Sequence, residues 1–223
     1  MDFIELDVQS SRDGELFVLH DDQLDRTMQA SGKLSQKMSS YLATVRSKEF
    51  DTFLPSFQKT LEHYIPLKPH LIKFMVELKG KNTGKKAAVL INRLKVHDRI
   101  VFSGRHIAEL KTAYHEAPTV PLCLNITSCR DFTLQKFLKT RTDKDIPLPF
   151  TMISLRASEI TKEFIQHCHH FGILALAWDF LKIETPYALM HQLIEYGIDG
   201  ILFDDPETVR DVRDNIKKTE NKN

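Results

Sequence analysis

The sequence lacks three features, and each absence excludes a class of protein. It has only three cysteines (Cys123, Cys129 and Cys168), an odd number without metal-ligand spacing, which argues against a disulfide framework and favours reduced thiols. Its longest uncharged apolar run, residues 171–178, is far shorter than the ~20 residues that span a bilayer. Its formal net charge of +1 does not indicate the strongly basic surface that is typical of nucleic-acid-binding proteins. We therefore expect a soluble protein with no membrane span and no nucleic-acid partner.

The N-terminal residues, MDFIELDV, also lack the basic and long apolar regions of a secretory leader. This absence and the reduced cysteines predict a cytoplasmic location. A signal or anchor lost upstream of Met1 stays open as the alternative.

Composition sets the size of the core. With 223 residues, 42% hydrophobic and 27% charged, the chain can bury one substantial core. We expect a single domain over residues 1–216, followed by a polar tail at 217–223 that is disordered.

Short apolar runs alternate with stretches of helical periodicity, which is the pattern of a parallel α/β domain. Residues 28–52 are polar and predict a loop with short helical pieces. Four segments have apolar residues at helical spacing, namely 84–94, 108–115, 157–171 and 187–196. Seven runs predict strands, namely 3–8, 74–78, 100–103, 120–126, 150–154, 173–178 and 200–203.

Polar residues with catalytic potential are concentrated in residues 3–27. Glu5 and Asp7 are two residues apart in an apolar strand, so their side chains project from the same face. Asp13-Gly14 is a turn signal, and the extended run that follows it ends at His20. The two carboxylates and the imidazole can therefore meet in space.

The same pattern recurs in the run FMVELK, where Glu77 and Lys79 are again two residues apart. A charge in an apolar strand is costly to bury unless it is paired or bound to a metal. Three carboxylates converging from two strands favour a hard divalent cation such as Mg²⁺ or Ca²⁺. Lys79 beside them indicates an anionic substrate.

At this point the motifs form an ordered set: IELDV, RDG, VLHDDQLDRT, VELK, LAWD and GIDGILFDDPE. This set, over about residues 3–209, resembles the glycerophosphodiester phosphodiesterase family. The resemblance implies a TIM-type (β/α)8 barrel. It also implies a metal-dependent phosphoric diester hydrolase that cleaves glycerophosphodiesters or lysophospholipids, releasing glycerol 3-phosphate and an alcohol from the former.

The resemblance also implies a role for six residues, each at a position that matches a family motif. Glu5, Asp7 and Glu77 would be metal ligands, and Lys79 would contact the phosphate. His20 would be the general acid that protonates the departing alcohol oxygen, and Trp178 would line the substrate pocket.

The chain departs from the family pattern at its start. A family strand ending in His-Arg-Gly, a Glu-Asn-Thr loop and a helix precede the Glu-x-Asp strand, and these residues are not in this sequence. We therefore expect a barrel without its first β/α unit and activity impaired by the missing second histidine. The sheet would be open between strands 3–8 and 200–203, which invites self-association or capture by a partner. Late in the chain, the family's Trp-Thr-x-Asn reads Trp178-Asp179-Phe180-Leu181.

Two other functions stay open. One is a catalytically degenerate barrel that binds a metal or a phospho-ligand, and the other is an open-barrel interaction protein. Single residues also have simpler interpretations, because Glu5 and Asp7 suit an exposed edge strand, Lys79 suits a solvated strand end, and Trp178 suits the core.

Overall fold

The structure is a computed structural model that describes residues 3–67, 73–181 and 183–205. The predicted disordered tail at 217–223 lies outside these residues. The chain divides into two compact units, residues 1–123 and 124–223. Within the described ranges, no helix is long and apolar enough to cross a bilayer.

Strands and helices alternate along most of the chain, as the apolar periodicity predicts. The strands are β1 (Phe3–Ser10), β2 (Leu16–Val18), β3 (Lys73–Leu78), β4 (Ile100–Gly104), β5 (Leu122–Asn125), β6 (Met152–Arg156), β7 (Leu174–Trp178) and β8 (Gly200–Ile201). The helices are α1 (Ser39–Leu42), α2 (Phe57–Leu67), α3 (Thr83–Leu94), α4 (Ile107–Glu116), α5 (Leu134–Phe137), α6 (Lys162–His170) and α7 (Pro186–Glu195). Short 3₁₀ turns of the described residues lie at 34–36, 97–99, 126–128, 143–145 and 157–159.

The first unit contains a sheet in the order β2-β1-β3-β4. Strands β1, β3 and β4 are parallel, and Asp7 pairs with Glu77, which pairs in turn with Ser103. Strand β2 returns antiparallel to β1 and covers only Val8–Ser10. Since partner residues in neighbouring strands face the same side, this register determines which side chains meet at the carboxyl ends of the strands.

The segment between β2 and α2 folds around a small core of its own. Its buried apolar residues are Phe17, Leu19, Leu24, Met28, Leu34, Leu42, Val45 and Leu54. Asp13 joins this segment to the β1–β2 turn, because its carboxylate accepts hydrogen bonds from the Ser39 amide at 2.9 Å and the Ser39 hydroxyl at 2.6 Å. A segment that is polar on average is therefore held in place beside the end of β1.

The loop after β3 is equally well anchored. The Thr83 hydroxyl donates to the Lys79 carbonyl at 2.6 Å, and the Glu109 carboxylate accepts from the Asn82 and Gly84 amides at 2.9 Å each. The bonds to Glu109 pair backbone N–H groups that have no acceptor within the helix at the start of α3. A Cβ on Gly84 would lie 2.1 Å from the Glu109 carbonyl oxygen, so α3 and α4 approach closely only because residue 84 is glycine.

In the second unit, β6, β7 and β8 are parallel neighbours. An aromatic cluster of Phe137, Phe164, His167 and Phe171 packs beside them, with ring centroids 4.8–6.4 Å apart. His167 is part of this packing, and its Nε2 lies 2.8 Å from the Phe137 carbonyl oxygen.

All seven predicted strands are present, each with ends within two residues of the prediction. The predicted helix over 157–171 is too long, because Thr161 accepts a hydrogen bond from the Phe164 amide and begins α6 at Lys162. The sequence did not predict α2, which buries only Phe57 and Leu61 and contains Pro66, and so has a weak apolar pattern.

Candidate active site

Three carboxylates converge from the neighbouring strands β1 and β3. Glu5 and Asp7 project from one face of β1, and Glu77 is the register partner of Asp7 on β3. Each of the three offers an oxygen atom, and these oxygens lie within 4.8 Å of one another. Among the residues that the structure describes, this is the one cluster of three or more such groups able to hold a metal ion.

Two cations balance part of this negative charge. Lys79 Nζ lies 3.0 Å from Asp7 Oδ1 and 3.3 Å from Glu77 Oε1, and all three side chains are only 12–14% exposed. Arg105, which follows β4, donates from Nη2 to Glu77 Oε1 at 3.1 Å. Burial raises the pKa of Asp7 above its usual range, although the Lys79 ammonium opposes this shift. The carboxylates of Asp7 and Glu77 are thus crowded and largely shielded from water, whereas Glu5 is exposed.

The oxygen donors fit a hard divalent cation. Mg²⁺ and Ca²⁺ prefer carboxylate oxygens, and a cation among these three would remove the cost of burying like charges. Glu5, Asp7 and Glu77 are the residues that would hold it, and their spacing does not discriminate between the two metals.

His20 is brought to the same place by the backbone of β1. The Leu19 amide donates to the Asp7 carbonyl at 3.0 Å. The buried Gln9 side chain donates to the carbonyls of Leu19 at 2.9 Å and Asp21 at 2.6 Å. Residues 19–21 are therefore fixed to the strand that carries Glu5 and Asp7.

The imidazole of His20 has a defined partner. Its Nδ1 lies 2.8 Å from Asp21 Oδ1, and the Arg26 guanidinium contacts both oxygens of the same carboxylate, at 2.5 and 3.0 Å. The hydrogen bonds from Arg26 and from His20 lower the pKa of Asp21 to about 2, so this carboxylate is anionic near neutral pH. An anionic Asp21 holds a proton on Nδ1 and leaves Nε2 to exchange a proton with a ligand. The His20 side chain is 67% exposed, so a ligand can reach it.

Glu5, Asp7 and His20 line one pocket of about 620 Å³ in the first unit. Its lining also includes the aromatic residues Phe50 and Phe53, which are 71% and 53% exposed. The pocket therefore combines carboxylates, an imidazole and aromatic side chains, and has room for a small organic ligand.

Trp178 ends β7 in the second unit. Its indole Nε1 donates to the Thr127 hydroxyl at 3.3 Å, and the Arg156 guanidinium lies 5.6 Å from the ring centroid. Arg156 also pairs with Asp179 at 3.0 Å, and Asp179 has a left-handed backbone with φ of 61°. Asp179 stands where the family pattern has threonine, and its ion pair with Arg156 lies next to Trp178.

Comparisons with known proteins identify the family. The model of the glycerophosphoryl diester phosphodiesterase family matches residues 1–208. The chain belongs to the glycerophosphoryl diester phosphodiesterase family. The predicted resemblance is therefore confirmed, and with it the assignment to a family of phosphoric diester hydrolases.

Relatives of similar length support this membership. The chain is 24% identical over 235 residues to a glycerophosphodiester phosphodiesterase of Bacillus altitudinis, a match that covers 97% of this chain and 88% of the relative. It is also 24% identical over 221 residues to a glycerophosphodiester phosphodiesterase of Caldanaerobacter subterraneus, covering 93% and 84% of the two chains.

Solved structures share the fold at lower identity. A putative glycerophosphoryl diester phosphodiesterase of Agrobacterium tumefaciens superimposes with a TM-score of 0.79 at 14% identity, covering 97% of this chain and 87% of the other. A phosphodiesterase of Oleispira antarctica, in complex with the product sn-glycerol-3-phosphate, superimposes with a TM-score of 0.78 at 18% identity, covering 96% and 85%. Because these structures have TIM-barrel-like folds, the predicted TIM-type α/β class is confirmed.

The structure brings together five of the six predicted site residues. Glu5, Asp7 and Glu77 lie on β1 and β3, and His20 and Lys79 lie just after β2 and β3. Trp178 belongs to the second unit. The sequence did not predict Gln9, Asp21 or Arg105 as parts of the site. The sequence carried no signal for Arg105, because its position two residues after Ser103 matters only once the register places Ser103 beside Glu77.

Proposed function

We propose that this protein hydrolyses glycerophosphodiesters to glycerol 3-phosphate and an alcohol, using Mg²⁺ or Ca²⁺ held by Glu5, Asp7 and Glu77. The observation that carries the proposal is the convergence of three carboxylate oxygens within 4.8 Å, with Lys79 in contact with two of the carboxylates. Membership of the family supports the reaction class.

A phosphodiester requires charge neutralisation, a positioned nucleophile and a protonated leaving group. A divalent cation, when bound, supplies electrostatic stabilisation of the phosphoryl oxygens. Lys79 adds a positive charge next to the carboxylates and binds a phosphate oxygen. His20 donates a proton from Nε2 to the departing alkoxide, while anionic Asp21 holds Nδ1. Trp178 is proposed as a pocket-lining residue on the basis of its family motif.

The proposal includes slow turnover. Among the described residues that line the pocket, His20 is the only histidine, so this part of the pocket offers no second imidazole to activate the nucleophile. One general acid or base contributes about 10²–10⁴-fold, so losing it leaves measurable catalysis.

Incubation of the purified protein with glycerophosphocholine and Mg²⁺, or with Ca²⁺ in place of Mg²⁺, tests the function. We expect release of glycerol 3-phosphate that stops when a chelator is added and resumes when the metal is restored. Lysophosphatidylcholine in a parallel reaction tests the lysophospholipid alternative. Metal binding without any release would contradict hydrolysis and support a metal- or phospho-ligand-binding protein.

We also propose that the protein self-associates through the edge of β1. In the described part of the chain, the short strand β2 pairs with β1 only along Val8–Ser10, so the beginning of β1 lies at the edge of the described sheet. An open edge favours strand addition. We expect sedimentation velocity to show a concentration-dependent dimer. A monomer that persists at the highest soluble concentration would contradict this proposal.

A single domain over residues 1–216 and a cytoplasmic location complete the proposal. Three buried thiols and no disulfide agree with a reducing compartment.

A further inference from the structure

Arg105 lies beside the carboxylate cluster and uses little of its hydrogen-bonding capacity in contacts with the other described residues. A guanidinium has five N–H donors in a planar fork. Within the described residues, the Arg105 guanidinium makes one hydrogen bond, from Nη2 to Glu77 Oε1 at 3.1 Å. Its side chain is 34% exposed, compared with 12% for Lys79, so its remaining donors are accessible to a ligand.

The register of the sheet places Arg105 on the ligand side of the cluster. Glu77 pairs with Ser103, and the residues two positions further along β3 and β4 are Lys79 and Arg105. Both cations therefore lie nearer the carboxyl ends of the strands than the acid beside them. Ligands of α/β barrels bind at that end of the sheet.

The formal charges also indicate an anion. Glu5, Asp7 and Glu77 carry three negative charges against the two positive charges of Lys79 and Arg105, which leaves one negative charge. A divalent cation changes this balance to one positive charge, which matches the single negative charge of a phosphodiester. Without Arg105, the metal-loaded cluster would be neutral and would attract a phosphodiester less strongly.

We propose that Arg105 is a second phosphate-binding residue of this site and that its free N–H donors bind phosphoryl oxygens together with Lys79. This inference rests on the proposed function and adds a residue to it. Arginine suits the task because its fork binds two phosphate oxygens at once, whereas lysine acts as a point charge.

A simpler role for Arg105 is to hold Glu77 in place for the metal, and the two roles predict opposite changes in metal affinity. If Arg105 positions Glu77, its removal weakens Mg²⁺ binding. If Arg105 binds phosphate, its removal takes one positive charge away from the carboxylates. Mg²⁺ binding then stays unchanged or becomes tighter, while phosphate binding weakens.

Titration calorimetry on the full chain separates these roles with two probes, Mg²⁺ alone and glycerol 3-phosphate at saturating Mg²⁺. We expect Arg105→Met to weaken glycerol 3-phosphate binding by about 10- to 100-fold, the usual value of a charged hydrogen bond. Arg105→Lys keeps the charge and loses the fork, so it should fall between the wild type and Arg105→Met. The control is Arg93→Met, which removes an exposed arginine of α3 that contacts Gln58, and should change neither affinity.

Weaker Mg²⁺ binding in Arg105→Met, restored in Arg105→Lys, would overturn the inference in favour of a positioning role. Equal glycerol 3-phosphate affinity in the wild type and Arg105→Met would overturn it directly. A wild-type protein that fails to bind glycerol 3-phosphate with Mg²⁺ present would instead contradict the proposed function itself. Circular dichroism of each variant establishes that the affinities refer to folded protein.

Discussion

Replacement of Asp7 by asparagine is expected to abolish stabilisation of the protein by Mg²⁺. A metal that binds only the folded state stabilises it by about 2.7 kcal/mol at a hundredfold excess over its Kd. For a chain of this size, that corresponds to a rise in Tm of about 5–10 °C. The asparagine side chain would keep the shape of the aspartate but lose the anionic oxygen, so we expect the rise in Tm with Mg²⁺ to disappear.

The metal-free stability of the same variant should not fall. Burial raises the pKa of Asp7 in the folded protein, so ionised Asp7 costs stability at any pH above that pKa. A carboxyl group whose pKa is higher in the folded protein favours folding while it is protonated. This contribution is present at low pH and is lost as the pH rises through the pKa of the folded state. Asparagine is neutral at every pH and avoids this loss. For the same reason, the wild-type affinity for Mg²⁺ should fall as the pH is lowered towards the pKa of Asp7, because protons compete for the carboxylate.

Differential scanning calorimetry with and without Mg²⁺ measures both effects. The matched control is Asp98→Asn, an exposed residue in the turn before β4, at the end of the strands opposite the carboxylate cluster. The Asp98→Asn variant should show the same rise in Tm on addition of Mg²⁺ as the wild type. An Asp7→Asn variant that is still stabilised by Mg²⁺ to the wild-type extent would refute the assignment of Asp7 as a metal ligand.

Replacement of His20 by alanine is expected to lower kcat for glycerophosphocholine by about 10²–10⁴-fold, the usual contribution of a general acid. The reason is that choline leaves as a strongly basic alkoxide unless it is protonated. The fold should be unaffected, since the His20 side chain is largely exposed and its loop is held by Gln9. Asp21→Asn should also slow turnover, because an amide can donate to Nδ1 and favour the wrong tautomer.

The leaving group provides the decisive readout. A nitrophenyl ester of glycerol 3-phosphate releases a phenolate that needs no proton, so His20→Ala should be much less impaired with this substrate. His115→Ala, which removes an exposed histidine in the last turn of α4, serves as the control and should retain full activity with both substrates. Equal losses with both substrates would show that His20 acts in some other way, for example in binding.

The strands and most of the helices could be predicted from the sequence because their signal is local. Alternating apolar runs and helical periodicity are properties of a few consecutive residues, so all seven predicted strands are present. The exceptions are also local. Thr161 caps α6 and shortens the predicted helix, and α2 has too few buried residues to stand out from its surroundings.

The carboxylate cluster could be predicted for a different reason. In a strand, residues i and i+2 face the same side, so Glu5 and Asp7 on β1 and Glu77 and Lys79 on β3 were each grouped by sequence spacing alone. The family motifs then indicated the chemistry, and the match of the family model confirms the family. The roles of the individual side chains remain predictions for the experiments above.

The sequence by itself thus determined the α/β class, the order of the strands along the chain, the two pairs of charged residues and the family. Only the tertiary structure decided the register that places Asp7 beside Glu77 and Glu77 beside Ser103. It also decided that Gln9 holds the His20 loop, that Asp21 faces the imidazole, and that Arg105 reaches Glu77. The contact of His20 with Asp21 depends on the side-chain conformations of two adjacent residues. The contacts of Gln9 and Arg105 join residues on different strands or loops, where the spacing along the chain carries no information. They depend on strand pairing and on the buried hydrogen bonds that satisfy polar groups in a packed interior.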